Sequence, residues 1–124
     1  MLTPEMLKPI VRAAWGADTC DPHDLPHWRP DNPARGQCGV TALVLHDLLG
    51  GELILGEVFE AGRKVGHHWW NRLPDGREVD LTIEQFYATE TVTGGQVLQR
   101  PEGAPGRCRQ QYELLSSRVR AAIS

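Results

Sequence analysis

The chain has 124 residues, 40% hydrophobic and 23% charged, a balance that suits one globular domain spanning residues 1–124 around a single core. A formal net charge of −3, with no run of like charges, argues against nucleic acid as a partner. Nowhere do about 18 apolar residues run together, and Glu5, Lys8 and Arg12 interrupt the first apolar pattern, so neither a membrane span nor a secretion signal is expected and the cytoplasm is the expected compartment.

From Thr3 the residues Pro4, Met6-Leu7, Ile10-Val11 and Ala14-Trp15 recur at helical spacing, with Thr3 as N-cap, Pro4 at the first position and Gly16 as the stop. Residues 17–36 contain Pro22, Pro26, Pro30 and Pro33 among Asp and Asn, which predicts a long ordered loop. Between Gln37 and Leu49 apolar side chains cover almost the whole helical circumference, the pattern of a buried helix, and Gly50-Gly51 ends it. Leu53–Phe59, Val65–Leu73 and Arg77–Thr82 read as three strands of an antiparallel meander, turned at Ala61-Gly62-Arg63 and Pro74-Asp75-Gly76. Ile83–Tyr87 reads as a short helical turn, the Gly- and Pro-rich stretch 91–109 has no clear assignment, and Tyr112–Ile123 is an amphipathic helix. The expected architecture is α+β, a buried central helix packed on a small antiparallel meander with helices at both ends.

Three cysteines, Cys20, Cys38 and Cys108, are too few and odd in number for a disulfide framework, so each is read as a thiol. Cys38 opens the buried helix, where unpaired N–H groups and the helix dipole favour a thiolate over a thiol. A nucleophilic cysteine needs a base, and the base needs an orienting acceptor. The second strand carries His67-His68 and the third carries Asp80, so the register of the hairpin decides which histidine shares a face with the carboxylate. A two-residue loop at Asp75-Gly76 would select His67. Pro-Asp-Gly instead suits a type I turn closed by a left-handed Gly, which pairs Leu73 with Arg77, sets Trp70 opposite Asp80, and leaves Asp80 diagonal to His68, within reach of its Nδ1. In this register His68, Trp70 and Arg72 share one face while His67, Trp69 and Asn71 occupy the other.

These residues resemble known sequences. Gly36-Gln37-Cys38-Gly39-Val40 is similar to the segment around the nucleophile of transglutaminases, and His68-Trp69-Trp70 through Asp80 resembles the His-x-Trp…Asp hairpin of the transglutaminase-like superfamily. More closely, GQCGVTALVLHDLLGGELI, the hairpin, and Asp80-Leu81-Thr82 with Gln85-Phe86 resemble the YunG-like family, over about residues 30–87. The broader resemblance implies a papain-like or transglutaminase-like core and thiol acyl chemistry, with Cys38 as nucleophile, His68 as base and Asp80 as orienting acid. The closer one implies a small stand-alone domain.

The function expected on these grounds is a thiol hydrolase or acyltransferase acting on an amide, isopeptide or thioester bond of a peptide or small molecule, with no cofactor required. Gln37 and the backbone N–H of Cys38 are candidates to meet the oxyanion. Trp70 would shield the His68–Asp80 bond from water or wall the acyl groove, and Arg72 would bind a substrate carboxylate or pair with Glu78 opposite. The rival expectation is a non-catalytic module that binds a peptide or small molecule in the same groove. Cys20, His23 and His27 have zinc-ligand types and spacing, but no second cysteine pair accompanies them, so a surface loop packed by Leu25 and Trp28 is the expected reading, with no metal.

Overall fold

The computed structural model describes residues 1–100 and 107–124. Helix α1 (Pro4–Ala14) begins where expected, with the Thr3 side chain accepting the Met6 N–H at 3.1 Å, and it buries Leu7, Val11 and Ala14 on one stripe. The loop that follows contains two single turns of 3-10 helix, Ala17–Thr19 and Leu25–His27. Helix α2 (Cys38–Leu49) buries Val40, Thr41, Ala42, Val44 and Leu45, and it ends on Gly50 at φ 74°, a backbone conformation that favours glycine. Helix α3 (Arg109–Ile123) buries Leu115 and Val119. The core joins all three helices to Trp15, Ala34 and Leu81. Two polar ties cross it: the Trp15 indole donates to the Thr41 hydroxyl at 2.9 Å, and the Arg118 guanidinium donates to the Ala14 carbonyl at 3.0 Å.

The sheet is antiparallel and four-stranded, in the order β3-β2-β1-β4. Strands β1 (Glu52–Glu60) and β2 (Arg63–Arg72) form a hairpin across Ala61 (φ 52°) and Gly62 (φ 76°), the two left-handed residues of a type I′ turn, so the connection is one residue tighter than expected. The Pro74-Asp75-Gly76 turn has the anticipated form. Leu73 N–H donates to the Arg77 carbonyl at 2.7 Å, Gly76 stands at φ 92°, and Asn71 and Arg72 pair with Val79 and Glu78.

Two expectations about the sheet need correction. Strand β3 is only Glu78–Val79, because the Asp80 carboxylate accepts the Thr82 N–H at 3.2 Å and bends the chain out of the ladder. In the unassigned stretch after residue 90, strand β4 (Glu90–Leu98) pairs with β1 and adds a fourth strand on the side away from β3. Its β signal is broken by Gly94-Gly95, and the reason lies across the sheet. The Trp70 ring occupies the space over Gly56 and Gly95, where an added Cβ would stand 2.7 Å and 3.0 Å from the indole. Helix α2 packs against β2 and, on its other side, against α3; the Asn71 amide donates to the Ala42 carbonyl at 2.9 Å and fixes strand to helix. Among the described residues no helix is long and apolar enough to cross a membrane.

The Trp70 contact predicts an asymmetry between glycines. Gly56→Val, which drives side-chain atoms into the indole, should destabilise the fold by about 1–3 kcal/mol in urea titration. Gly66→Ala, on the neighbouring strand with nothing within 4 Å of the added carbon, should stay within about 0.5 kcal/mol of the parent.

Candidate active site

The loop before α2 delivers Cys38 through a tightly held approach. Gly36 stands at φ 74°, and a Cβ there would lie 2.5 Å from the Cys20 sulfur, so only glycine allows the chain to pass. Gln85 then ties this loop to the turn after Asp80: its side-chain carbonyl accepts the Gly36 N–H at 3.2 Å, its side-chain amide donates to the Thr82 carbonyl at 3.1 Å, and its backbone carbonyl accepts from Asn32 at 3.0 Å. The helix start and the carboxylate-bearing turn are thereby one rigid unit.

His68 is wholly buried, with 0% of its surface exposed. Its Nε2 lies 2.5 Å from Asp80 Oδ2, and the other oxygen of Asp80 accepts from the backbone N–H and hydroxyl of Thr82. The Trp70 ring stacks on the imidazole with centroids 5.5 Å apart, and Phe86 meets it edge-on at 4.7 Å. Nδ1 makes no hydrogen bond. Burial by itself opposes the charged imidazole, but the hydrogen bond to Asp80 and then the Cys38 thiol outweigh it, raising the His68 pKa from 6.5 to about 9. The sulfur bears on the ring without completing a hydrogen bond in ordinary geometry, and Nδ1 is the nitrogen left for it.

The expected hairpin register brings His68 and Asp80 together, with one change: Asp80 takes Nε2 rather than Nδ1; Cys38, from α2, lies near enough to the imidazole to help raise its pKa. The reason is geometric. The diagonal carboxylate meets the far side of the ring, which leaves the near nitrogen free. Cys38 is partly exposed and, with the exposed His67, lines a cavity of about 1010 Å³.

The secondary assignments fare differently. Gln37 is buried, its side-chain carbonyl accepting from the Thr19 hydroxyl at 2.9 Å and its amide donating to the Gly16 carbonyl at 3.0 Å, so it fastens the loop and does not line the cavity where an oxyanion would form. Trp70 does not line the cavity; it covers the back of His68 and donates to Glu78 at 2.7 Å. Arg72 lies away from the cavity between Glu52 and Glu78, at 3.4 Å and 3.7 Å, which leaves its charge balanced within the sheet. Cys20 points inward, its thiol donating to the Asp21 and Arg35 carbonyls, and burial, then Asp24 and Asp21, push its pKa to about 12. Among the described residues no group of three or more His, Cys, Asp or Glu side chains converges as a metal site. Thr82, Gln85 and Phe86 were not singled out for the site by sequence reasoning. Asp-x-Thr at 80–82 is the one local signal, since an Asx turn fixes the carboxylate it begins with.

The site thus defines a small α+β domain in which a helix-opening thiol meets a buried His–Asp pair. A family model described as "YunG protein" matches residues 3–124. The chain is 36% identical over 84 residues to the "Uncharacterized protein YunG" of Bacillus subtilis (strain 168), an alignment covering 68% of this chain and 64% of that protein. The chain belongs to the YunG family. No solved structure matches.

The raised His68 pKa has a measurable effect. A group protonated more readily in the folded than in the unfolded chain stabilises the fold fully below about 6.5, and that contribution is lost as pH rises through about 9. Asp80→Asn should lower the pKa of His68, followed by its ring-proton NMR shifts, and should flatten the loss of thermal stability between those two pH values. Separately, Gln37→Ala should cost about 1–3 kcal/mol in chemical denaturation, since it removes two buried hydrogen bonds, one from the Thr19 hydroxyl and one to the Gly16 carbonyl, together with the packing of a fully buried side chain.

Proposed function

We propose that this protein is a cysteine-dependent hydrolase or acyltransferase, acting through Cys38, His68 and Asp80 on an amide, isopeptide or thioester, and that its core is of the papain-like or transglutaminase-like kind. The observation that carries the reading is the buried 2.5 Å His68–Asp80 hydrogen bond, with Nδ1 left free beside the thiol at the start of α2. Chain order and architecture support it: cysteine at the mouth of a buried helix, then histidine from β2 and aspartate from the turn that ends the neighbouring strand β3. Three free thiols support a reducing, cytoplasmic setting.

In this reading the imidazolium and the helix N-terminus stabilise the Cys38 thiolate, which attacks the carbonyl carbon. Gln37 supplies no side-chain cap to α2, so the N–H groups of its first turn, that of Cys38 first, are open to the oxyanion. His68 then gives its Nδ1 proton to the leaving group, and the C–N or C–S bond breaks to leave an acyl thioester on Cys38. Water or an amine attacks that thioester while His68 takes the proton back. Asp80 stays ionised and holds the ring through Nε2.

Trapping tests this directly. Incubation with activated esters should add one acyl mass to the intact protein at Cys38, Cys38→Ala should remain unmodified, and His68→Ala should slow acylation by about 10²-fold or more. Iodoacetamide at neutral pH should alkylate Cys38 before the other two cysteines, because burial raises the pKa of both Cys20 and Cys108. If Cys38 is alkylated no faster than Cys108, and His68→Ala makes no difference, the protein is a binding module and not an enzyme.

A further inference from the structure

We propose that the cavity beside Cys38 selects a hydrophobic acyl group over an anionic one; the inference rests on the thiol acyl chemistry above and specifies its substrate class. The argument begins at the residue after the nucleophile. Gly39 has no side chain, and the Trp69 indole lies 3.8 Å from where one would start, so an aromatic wall reaches the first turn of α2 within a residue of the sulfur. Val40 and Leu43 continue that wall along the helix, and Leu53 continues it along β1. Leu43 is only partly buried and stands outside the buried cluster that joins the three helices, so its apolar surface faces the cavity and not the core.

The charges of the cavity decide between an apolar and an anionic acyl group. Three guanidinium groups line it, and each has its own carboxylate: Arg35 pairs with Glu90 at 2.8 Å, Arg100 with Asp47 at 2.5 Å, and Arg107 with Asp21; Asp24 and Glu60 also line it and add negative charge that repels an anion. Arg100 is further committed to the Leu43 carbonyl and the Tyr112 hydroxyl. A substrate carboxylate or phosphate would have to displace one of these pairs, leaving a partly buried acid without its cation. A hydrocarbon or aromatic acyl chain needs no such exchange and gains by covering the partly exposed Leu43 and Trp69 and the exposed Val65. The volume, about 1010 Å³, lies at the upper end of the range for small-molecule sites.

The experiment compares p-nitrophenyl acetate, hexanoate and succinate as acyl donors to the full chain. In each case the Cys38 thiolate forms a C–S bond, the ester C–O bond breaks, and p-nitrophenolate leaves with the electron pair. The second-order rate constant for acylation should favour hexanoate over acetate by about tenfold or more, and should favour hexanoate over the anionic succinate by a wider margin. Leu43→Asp should collapse the hexanoate-to-acetate ratio, and Leu43→Ala, the milder change, should reduce it. Equal rates for hexanoate and acetate, a preference for succinate, or a ratio indifferent to both Leu43 variants would overturn the proposal. If no ester acylates Cys38, the enzyme reading fails on its own account, and calorimetric titration of the Cys38→Ala protein with hexanamide and with succinamate still decides the cavity. Saturable binding of hexanamide, weakened in a Cys38→Ala/Leu43→Asp protein, supports a hydrophobic ligand; no binding, or tighter binding of succinamate, refutes it.

Discussion

The bond between His68 and Asp80 organises the site, because an imidazole with no exposed surface keeps its charge only if an acceptor is held against it. Desolvation would drive such a ring neutral, and the carboxylate 2.5 Å away reverses the balance. The carboxylate is held in turn by the turn it starts. Thr82 donates twice to one oxygen, which leaves the second oxygen directed at the ring. Strand β3 ends after two residues for the same reason: continuing the ladder through Asp80 would remove the bend that aims its side chain.

Around that bond the fold is built to prevent movement. Phe86 closes the edge of the ring and Trp70 its face, so the imidazole has no neighbouring volume into which it can rotate. Gln85 locks the approach to α2 onto the same turn, and Gln37, fully enclosed, fastens that approach to the end of α1 through Thr19 and Gly16. The thiol and its facing ring come from segments thirty residues apart, yet a short set of buried side-chain amides fixes their separation.

The parts of this arrangement that were legible in the sequence are those set by local chemistry. The Thr3 cap, the apolar circumference of α2 and the Pro74-Asp75-Gly76 turn each act over a few residues, and the turn alone selected His68 over His67. What was not legible depends on partners distant in the chain. Gln37 looks like a site residue because it adjoins Cys38, and only the positions of Gly16 and Thr19 show that its amide N–H and its carbonyl are already engaged. Arg72 looks free for a ligand until Glu52 is found alongside. Strand β4 was hidden by Gly94-Gly95, a pair that reads as a breaker in isolation; Gly95 becomes intelligible once the indole of a strand two places away is seen to need the space, and Gly94 by its φ of 72°. Which ring nitrogen meets the carboxylate is set by side-chain rotation, to which strand alternation is blind.

That same glycine pair bears on how the molecule behaves among its own copies. Strand β4 lies at the rim of the sheet, where an unbroken row of backbone donors and acceptors invites another chain to add itself as a further strand. With Gly94 and Gly95 both at positive φ, the row is interrupted between Glu90–Thr93 and Gln96–Leu98, and the pairing with β1 shifts register there. At the opposite rim β3 is too short to template anything. The glycine that makes room for Trp70, with its neighbour Gly94, thereby also blunts the outer strand as a seed for aggregation.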